Sequence, residues 1–490
     1  MAMFRSASKL LLAGGIGGYS LYQSSSIQTK QDIKGYFNSS INSIIAAKVL
    51  TLSVIDYMYS LKGLDYSSEE YHKVRSQVHY RVARRILNLS VRSRGIYFKA
   101  GQYLGNLDRI MPKEFTEILC VLQDSAPPLD FEEIRTVIDH DLPGAFNAFE
   151  EFDKQAIAAA SLAQVHKAKL KTGETVAVKI QYPFLSAQTY TDFIVLRNIT
   201  NICNWLLKMN QFEDMNLLNI WETFRDMCTQ EVDFLHERFN SEKTKVIFAN
   251  DKTIYVPKIY EKFSCSRVLT MEFVSGVKIN DNEKIKELGF KTEDIADMLI
   301  TAFGKMIFLY GHVHCDPHPG NIFVRSIDGK AQIILLDHGF YRYVPDDFRK
   351  DFCRLWQALV TLDYPTVKRI SETMGLGEYY RYLPLILTYR TMSSRRPLGD
   401  IITEEEKRGL HKGNEITFEK ITRLMQRLPP DLIFIVRTNN LVALHNLRLG
   451  GSSRKRFMKY TDMSFTALFS GLWYYWEKIK FYFLLLYMRL

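Results

Sequence analysis

The spacing of apolar residues sorts the chain into stretches of two kinds. Leu217, Ile220, Trp221, Phe224 and Met227 recur at three- and four-residue intervals, as do Ile295, Leu299, Phe303 and Met306, and also Phe115, Ile118, Leu119 and Leu122. Residues so spaced share one face of an α-helix. The first set predicts a helix through 216–240, and the third a helix opened by Pro112 and closed by Pro127-Pro128. Residues 162–182 read as a β-hairpin. Leu162 to Leu170 is strand-like, Lys171-Thr-Gly-Glu174 has turn chemistry, and Thr175 to Ile180 is rich in β-branched residues. The pattern therefore predicts an α+β protein: a helical extension over 32–150, a small mixed lobe over 151–275, a helical lobe over 276–450 and a tail over 451–490.

Candidate chemistry is concentrated in two short runs. His314-Cys-Asp-Pro-His-Pro-Gly-Asn321 places Asp316 and Asn321 five residues apart. Sixteen residues later, Asp337-His338-Gly339 ends the apolar run Ile333-Ile-Leu-Leu336. Phosphotransfer enzymes of the kinase type use an aspartate and an asparagine at that spacing, with a second aspartate at a later strand end. Mg²⁺ is a hard cation that takes oxygen ligands, usually one or two from the protein and the rest from phosphates and water. Asn321 and Asp337 could supply them, leaving Asp316 to orient the attacking group. His312, His314, Cys315, Asp316 and His318 also have the residue types of a transition-metal cluster, but Pro317 and Pro319 bar the regular helix that would converge them.

Upstream, Val176-Ala-Val-Lys179 matches the strand whose lysine grips nucleotide phosphates in kinases. A lysine in an apolar strand needs a carboxylate. Glu231, Asp233 and Glu237 are candidates, and on one continuous helix Asp233 and Glu237 would share a face while Glu231 points elsewhere. Each could instead lie on a solvated helix face. Thr270-Met-Glu-Phe-Val274 follows a strand-like segment and has the place of a kinase hinge, where backbone groups of Glu272 and Val274 would bond an adenine. The phosphate-loop position reads Ala156-Ile-Ala158-Ala159-Ala160-Ser161 without glycine, so the backbone there lacks glycine's freedom to approach a ligand closely. No Ala-Pro-Glu follows Asp337, which leaves no evident peptide-docking platform.

Taken in order, these elements resemble the UbiB family (also called ABC1 or aarF-domain kinases) over roughly residues 90–345. The resemblance rests on Lys99-Ala-Gly-Gln102, Leu122-Gln-Asp124 with Pro127-Pro128, Ala158 to Ser161 with Gln164-Val-His166, Val176 to Pro183, Glu231-Val-Asp233, and the two runs described above. The Asp-His-Gly triplet and short N-terminal apolar segment are most similar to the mitochondrial aarF-domain-containing kinase branch. The resemblance implies a two-lobed protein-kinase-like fold with the helical extension over the cleft. It implies ATP and Mg²⁺ as cofactors, held by the Ala158–Ser161 loop, Lys179 paired with Glu237, Glu272 and Val274, with Asn321 and Asp337 on the metal and Asp316 as base. Lys99 and Gln102 would gate the cleft near Glu231 and Asp233, disfavouring peptides and leaving a small or lipid-like substrate. The implied activity is that of an atypical kinase or ATPase in membrane or lipid homeostasis. A pseudokinase scaffold is the alternative.

Composition adds an address and a surface. With 490 residues and 47% hydrophobic content the chain can bury substantial cores. The six cysteines form no CxxC pair, so buried thiols are expected rather than a disulfide framework. Residues 1–31 carry Arg5, Lys9 and Lys30, many serines and no acid, as a mitochondrial transit segment does. A secretory signal is the rival reading, and the family resemblance favours the mitochondrion, with inner-membrane association. Residues 41–62 are apolar but include Lys48 and Asp56, which predicts an amphipathic or partner-packed helix. The tail interleaves Arg454, Lys455, Arg456, Lys478 and Lys480 with Trp473, Tyr474, Tyr475 and Trp476, a pattern suited to mitochondrial membrane lipids or to packing on the helical lobe. The formal net charge of +10 brings no nucleic-acid module with it, and no nucleic-acid partner is expected.

Overall fold

A computed structural model describes residues 27–65, 68–106, 111–123, 128–209, 217–392, 424 and 427–487. Most of the targeting segment, Asp124 and Pro127 of the extension, and Arg489 of the tail lie outside these residues. The described chain forms two compact units. The first contains the residues up to Trp205 with Tyr260–Thr270, and the second contains Leu206–Ile259 and the residues from Met271 onward.

In the first unit, five helices precede a sheet: α1 (Ile27–Ser60), α2 (Glu69–Ser93), α3 (Gly95–Gly105), α4 (Lys113–Leu119) and α5 (Phe131–Asp141). Val78, Val82 and Ala83 of α2, Phe98 of α3, and Phe115, Leu119 and Leu122 pack into one buried cluster. Each large apolar side chain so buried contributes ~1.5–3 kcal/mol. The sheet has the order β1 (Phe149–Ala159), β2 (Ala163–Leu170), β3 (Thr175–Gln181), β5 (Val268–Glu272), the last shared with the second unit. The hairpin read from 162–182 is present, with β2 and β3 antiparallel and Val165 opposite Lys179. Val176, Val178 and Ile180 point into a core closed by Ile134, Val137 and Ile138 of α5. Alternation along a strand then puts Lys179 on the opposite face. Arg267, just before β5, grips Asp141 at the end of α5 through two bonds of 2.6 and 2.5 Å.

α1 is the one described helix long and apolar enough to cross a membrane, yet polar contacts hold it against the first unit. Asp56 accepts from Arg81 and Arg85 of α2 at 2.6 and 2.7 Å. Ser39 donates to Asp192 at 2.6 Å, and Asn42 to the carbonyl of Ser93 at 3.4 Å. Asp192 belongs to α6 (Leu185–Met209), which runs past the unit boundary at Trp205. The apolar stretch is thus partner-packed on one face, while Tyr36, Phe37, Ile44, Ile55 and Met58 remain exposed on another.

The second unit begins with α7 (Leu217–Glu231) and α8 (Phe234–Ile247). A four-stranded sheet has the order β4 (Ile254–Tyr255), β9 (Lys330–Leu335), β8 (Ile322–Ile327), β6 (Val277–Lys278). Helices α9 (Asn282–Glu287) and α10 (Thr292–Gly304) follow β6, and α10 continues as a π-helical turn through Lys305–Tyr310. β7 (His312–His314) pairs with β10 (Tyr341–Tyr343). The remaining helices are α11 (Asp346–Val360), α12 (Tyr364–Thr373), α13 (Leu383–Thr388), α14 (Pro430–Arg448), α15 (Ser453–Leu468) and α16 (Gly471–Tyr487). Trp356 of α11 stacks on Phe457 of α15 and donates its indole N–H to Thr461 at 3.1 Å. α15 is therefore core, although its sequence reads as the start of a tail. α16 is fastened to it by Phe481 on Phe465 and by Lys478 on Asp462.

The seam under α1 has a pH signature. Asp192 is fully buried, and burial raises its carboxyl from 3.8 to about 6, with bonds from Ser39 and Gln188 only partly opposing the shift. The folded chain keeps this proton where the unfolded chain has released it. The group's stabilisation is therefore full below about pH 4 and is lost as pH rises towards 6. Denaturant melts should show Asp192→Asn gaining about 2–3 kcal/mol on the wild type between pH 4 and 7. A difference independent of pH would mean that the carboxylate is solvated.

Candidate functional site

The site residues fall into two sets, one in each unit. In the first unit, Lys179 lies mid-strand on β3, away from the core of that sheet. Ala158 and Ala159 are regular strand residues of β1, opposite Val165 and Gln164. Ala160 turns the chain: its N–H donates to the carbonyl of Ala163 at 2.8 Å, and its own carbonyl accepts from the Tyr182 hydroxyl at 3.0 Å. Ser161 is buried beneath the turn. Hydrogen bonding through Ala160, rather than glycine's flexibility, fixes this loop.

Lys99, Gly101 and Gln102 lie on α3. Gln102 donates its side-chain amide to the carbonyl of Leu122 at 2.8 Å. A Cβ at position 101 would lie 2.5 Å from both Leu122 Cδ1 and Ser90 Oγ. Glycine is therefore required where α3 crosses the segment after α4, and the segment carrying Lys99 is locked to its own unit.

The second unit assembles the acidic residues, by a route the sequence pattern conceals. The helix expected through 216–240 is broken. α7 ends at Glu231, and Asp233 is extended, its carboxylate capping α8 by accepting from the Leu235 N–H at 3.0 Å. The apolar repeat runs up to the break without marking it, but an aspartate that satisfies an otherwise unpaired N–H is a strong helix start. Consequently Asp233 and Glu237 do not share the face of a single helix. Glu231 does not point away either. A Cβ placed on Gly339 would lie 3.0 Å from Asp337 Oδ1, 3.6 Å from Glu231 Cγ and 3.8 Å from Glu237 Oε2. Three acidic side chains thus border one glycine, which leaves them the room a side chain would take.

Asn321 and Asp337 are each oriented by a local hydrogen bond. Asn321 donates Nδ2 to the carbonyl of Asp316 at 3.2 Å, which leaves its Oδ1 as an acceptor. Asp337 Oδ1 accepts the Gly339 N–H at 2.8 Å. An amide oxygen and a carboxylate oriented in this way suit a hard cation whose other ligands come from phosphates and water. Asp316 meets Arg437 of α14 at 3.3 Å. The backbone at Pro317 is held by His445, which donates Nε2–H to its carbonyl at 2.9 Å.

Beneath these residues His312, Tyr341 and His314 form a stack with ring centroids 4.5 and 4.9 Å apart, and His338 lies alongside Tyr341. His338 Nε2 lies 3.1 Å from the carbonyl of Leu335, which can only accept, so this nitrogen carries the proton. Nδ1 then accepts from the Tyr341 hydroxyl at 2.9 Å. Burial depresses His338 to about 3 and His312 to about 4, keeping both neutral. Among the described residues no group of histidine, cysteine and acidic side chains converges in a metal-binding arrangement. The histidines of this region pack as a buried stack and do not form the transition-metal cluster their residue types allowed. Asn240 of α8 donates to the carbonyl of His338 at 3.1 Å, linking the helix of Glu237 to the loop of Asp337.

At the position expected for the hinge, Glu272 donates its backbone N–H to the Lys258 carbonyl, and its carboxylate accepts from Tyr255 and from the Lys258 N–H. Val274 follows β5 in irregular backbone. Asn240, Tyr341, His445 and Arg437 carry no sequence signal of their own. Their contacts span three residues for Tyr341 and His338 but 98 to 128 for the others.

This arrangement is that of a kinase-like protein, with Asp316, Asn321 and Asp337 in one unit and the strand-borne Lys179 in the other. A family model described as the ABC1 atypical kinase-like domain matches residues 121–371. AarF domain-containing protein kinase 1 of Mus musculus is 36% identical over 432 residues, covering 86% of this chain and 81% of that protein. The Gallus gallus protein of the same name is 38% identical, covering 81% and 77%. The chain belongs to the ABC1 (AarF-domain) atypical kinase-like family. Among solved structures, the erythromycin complex of Rv3197 from Mycobacterium tuberculosis aligns with a TM-score of 0.49 at 20% identity, covering 79% of this chain and 97% of that one.

If Asp337 and Asn321 share a magnesium ion, Asp337→Asn should weaken binding of Mg²⁺-nucleotide at least about tenfold. Affinity for the nucleotide in excess chelator should change little. Calorimetric titration of both forms reads the difference, and equal losses would remove Asp337 from the metal.

Proposed function

We propose that this chain is an atypical kinase or ATPase that uses Mg²⁺-ATP on a small or lipid-like molecule at a mitochondrial membrane. The observation that carries the reading is the placement of Asn321 and Asp337 at the paired ends of β8 and β9, where the Leu336 N–H donates to the Asn321 carbonyl at 2.9 Å and each side chain is oriented by a local hydrogen bond. Bound Mg²⁺ would neutralise phosphate charge there. Lys179 supplies a positive charge for the phosphates, Glu237 its counter-charge, and Asp316 accepts the proton of the attacking hydroxyl. The hydrogen-bonded Ala160 turn holds the nucleotide in a geometry unlike that of a glycine-rich loop. The α3 segment of Lys99 and Gln102, locked onto Leu122 and Ser90, limits access by peptides.

Membrane action is supported by two exposed apolar faces, one in each unit. α16 presents Leu472, Trp473, Tyr475, Trp476 and Phe483 to solvent, with Lys478 and Lys480 on the same helix. Tryptophan, tyrosine and lysine together suit the interface of an anionic bilayer. α1 adds Tyr36, Phe37, Ile44 and Met58. The acid-free segment before Asp32 supports the mitochondrial address.

The reading is tested with purified protein and ATP, with and without vesicles rich in anionic lipid. Wild type should hydrolyse ATP or transfer its phosphate, and Asp316→Asn should lower turnover about 10²-fold or more while still binding nucleotide. Removal of residues 471–490, which leaves the core helix α15 intact, should weaken vesicle binding, and salt should weaken the wild-type interaction. Nucleotide binding without turnover under every condition would mark the chain as a scaffold, and unchanged vesicle binding would move the membrane contact away from α16.

A further inference from the structure

Arg437 is the basic group set directly against Asp316, and no feature of the sequence marks it. It enters from α14, with one guanidinium nitrogen 3.3 Å from Asp316 Oδ1 and another 4.0 Å from the sulfur of Met227. The other guanidinium of this neighbourhood, that of Arg342, is committed to Asp431 at 2.5 Å. The Arg437–Asp316 contact is single, long for a charge-assisted bond, and open to solvent, with the two side chains 24% and 32% exposed. A purely structural clamp is normally bidentate and closed, like that of Arg267 on Asp141. Exposed single contacts of this kind add little stability. They are readily exchanged for a ligand.

We propose that Arg437 selects the phosphate acceptor. It holds Asp316 while the acceptor is absent and transfers its planar fork to an anionic group that the acceptor carries beside its hydroxyl. A guanidinium matches a phosphate or carboxylate in two-pronged fashion and has donors to spare after one contact with Asp316. The acceptor class is therefore a hydroxyl compound bearing a phosphomonoester, phosphodiester or carboxylate close to the reacting oxygen. A serine or threonine side chain in a neutral peptide lacks that anion. The proposal rests on the kinase reading. The acceptor hydroxyl oxygen forms the new bond to the γ-phosphorus, the bond from that phosphorus to the bridging oxygen breaks, ADP leaves with the electron pair, and the hydroxyl proton goes to the Asp316 carboxylate. Arg437 keeps the acceptor's own anion from repelling that carboxylate.

The test uses the full chain as wild type, Arg437→Gln and Arg437→Lys, titrated calorimetrically with glycerol 3-phosphate and with glycerol. Each titration is run with saturating Mg²⁺ and a non-hydrolysable ATP analogue, and again without nucleotide. Wild type should bind glycerol 3-phosphate at least about tenfold more tightly than glycerol. Arg437→Gln should lose about tenfold or more for glycerol 3-phosphate, Arg437→Lys should lie between, and affinity for the ATP analogue should stay within about twofold. Vesicles of phosphatidylglycerol against phosphatidylcholine form the second arm. Dependence on Arg437 confined to vesicles assigns the anion to a lipid headgroup, and dependence on the soluble compound assigns it to a free metabolite. Indifference of both anionic probes, glycerol 3-phosphate and the phosphatidylglycerol vesicles, to Arg437 overturns the proposal. Loss of analogue affinity in Arg437→Gln with unchanged glycerol 3-phosphate binding also overturns it, by placing the arginine on the donor phosphates. If wild type binds no nucleotide the kinase reading fails, while the nucleotide-free titrations still decide whether Arg437 binds the anion.

Discussion

Crowding of negative charge around Gly339 is the constraint on which the rest of the second unit depends. Asp337, Glu237 and Glu231 all border this one residue, and Glu237 is 2% exposed. Carboxylates drawn together away from water repel one another and lose hydration, a combination tolerated only with positive charge to answer it. Within this unit the sequence offers a pair suited to a divalent cation in Asn321 and Asp337. Under the proposed reading, a bound metal ion would add positive charge beside these carboxylates.

Building the cluster takes a scaffold that is itself polar and buried. The stacked rings of His312, Tyr341 and His314, with His338 alongside, lie directly behind the Asp337 loop. His338 stays neutral in one tautomer because a carbonyl fixes the proton on Nε2 and a tyrosine hydroxyl fills Nδ1. Phenylalanine in its place would keep the ring volume but remove both hydrogen bonds, each worth about 0.5–1.5 kcal/mol. The Asp-His-Gly triplet is therefore a hydrogen-bonded support where the commoner Asp-Phe-Gly would be an apolar one. Asn240 then couples this support to α8, so that the helix of Glu237 and the loop of Asp337 are set by the same contacts.

Local pattern made a good part of this legible. The β2–β3 hairpin was readable because β-branched residues and a Thr-Gly turn state their conformation within twenty residues. Ile295, Leu299, Phe303 and Met306 were readable as core because they keep the helical period into the π turn, where all are buried. The break at Val232-Asp233 was not, since the apolar repeat of α7 gives no sign of stopping and the cap is a single side-chain bond. That miss reversed the expected direction of Glu231. For α15 the tail pattern left membrane contact and packing on the helical lobe both open, and the structure takes the second, with Arg456 buried against Phe457 and Asn439. Arg437 was invisible for another reason: its partner lies 121 residues earlier, and only packing of α14 brings them together.

The most direct measurement is a crystal structure of the protein with Mg²⁺ and a non-hydrolysable ATP analogue. The expected result is a metal ion within about 2.0–2.1 Å of Asn321 Oδ1 and Asp337 Oδ2, completed by phosphate oxygens and water. The Asn321 Nδ2 bond to the Asp316 carbonyl and the Gly339 bond to Asp337 Oδ1 should be unchanged. A nucleotide bound with its metal elsewhere, or with those two bonds broken to reach it, would contradict the assignment of this acidic cluster as a metal-nucleotide site.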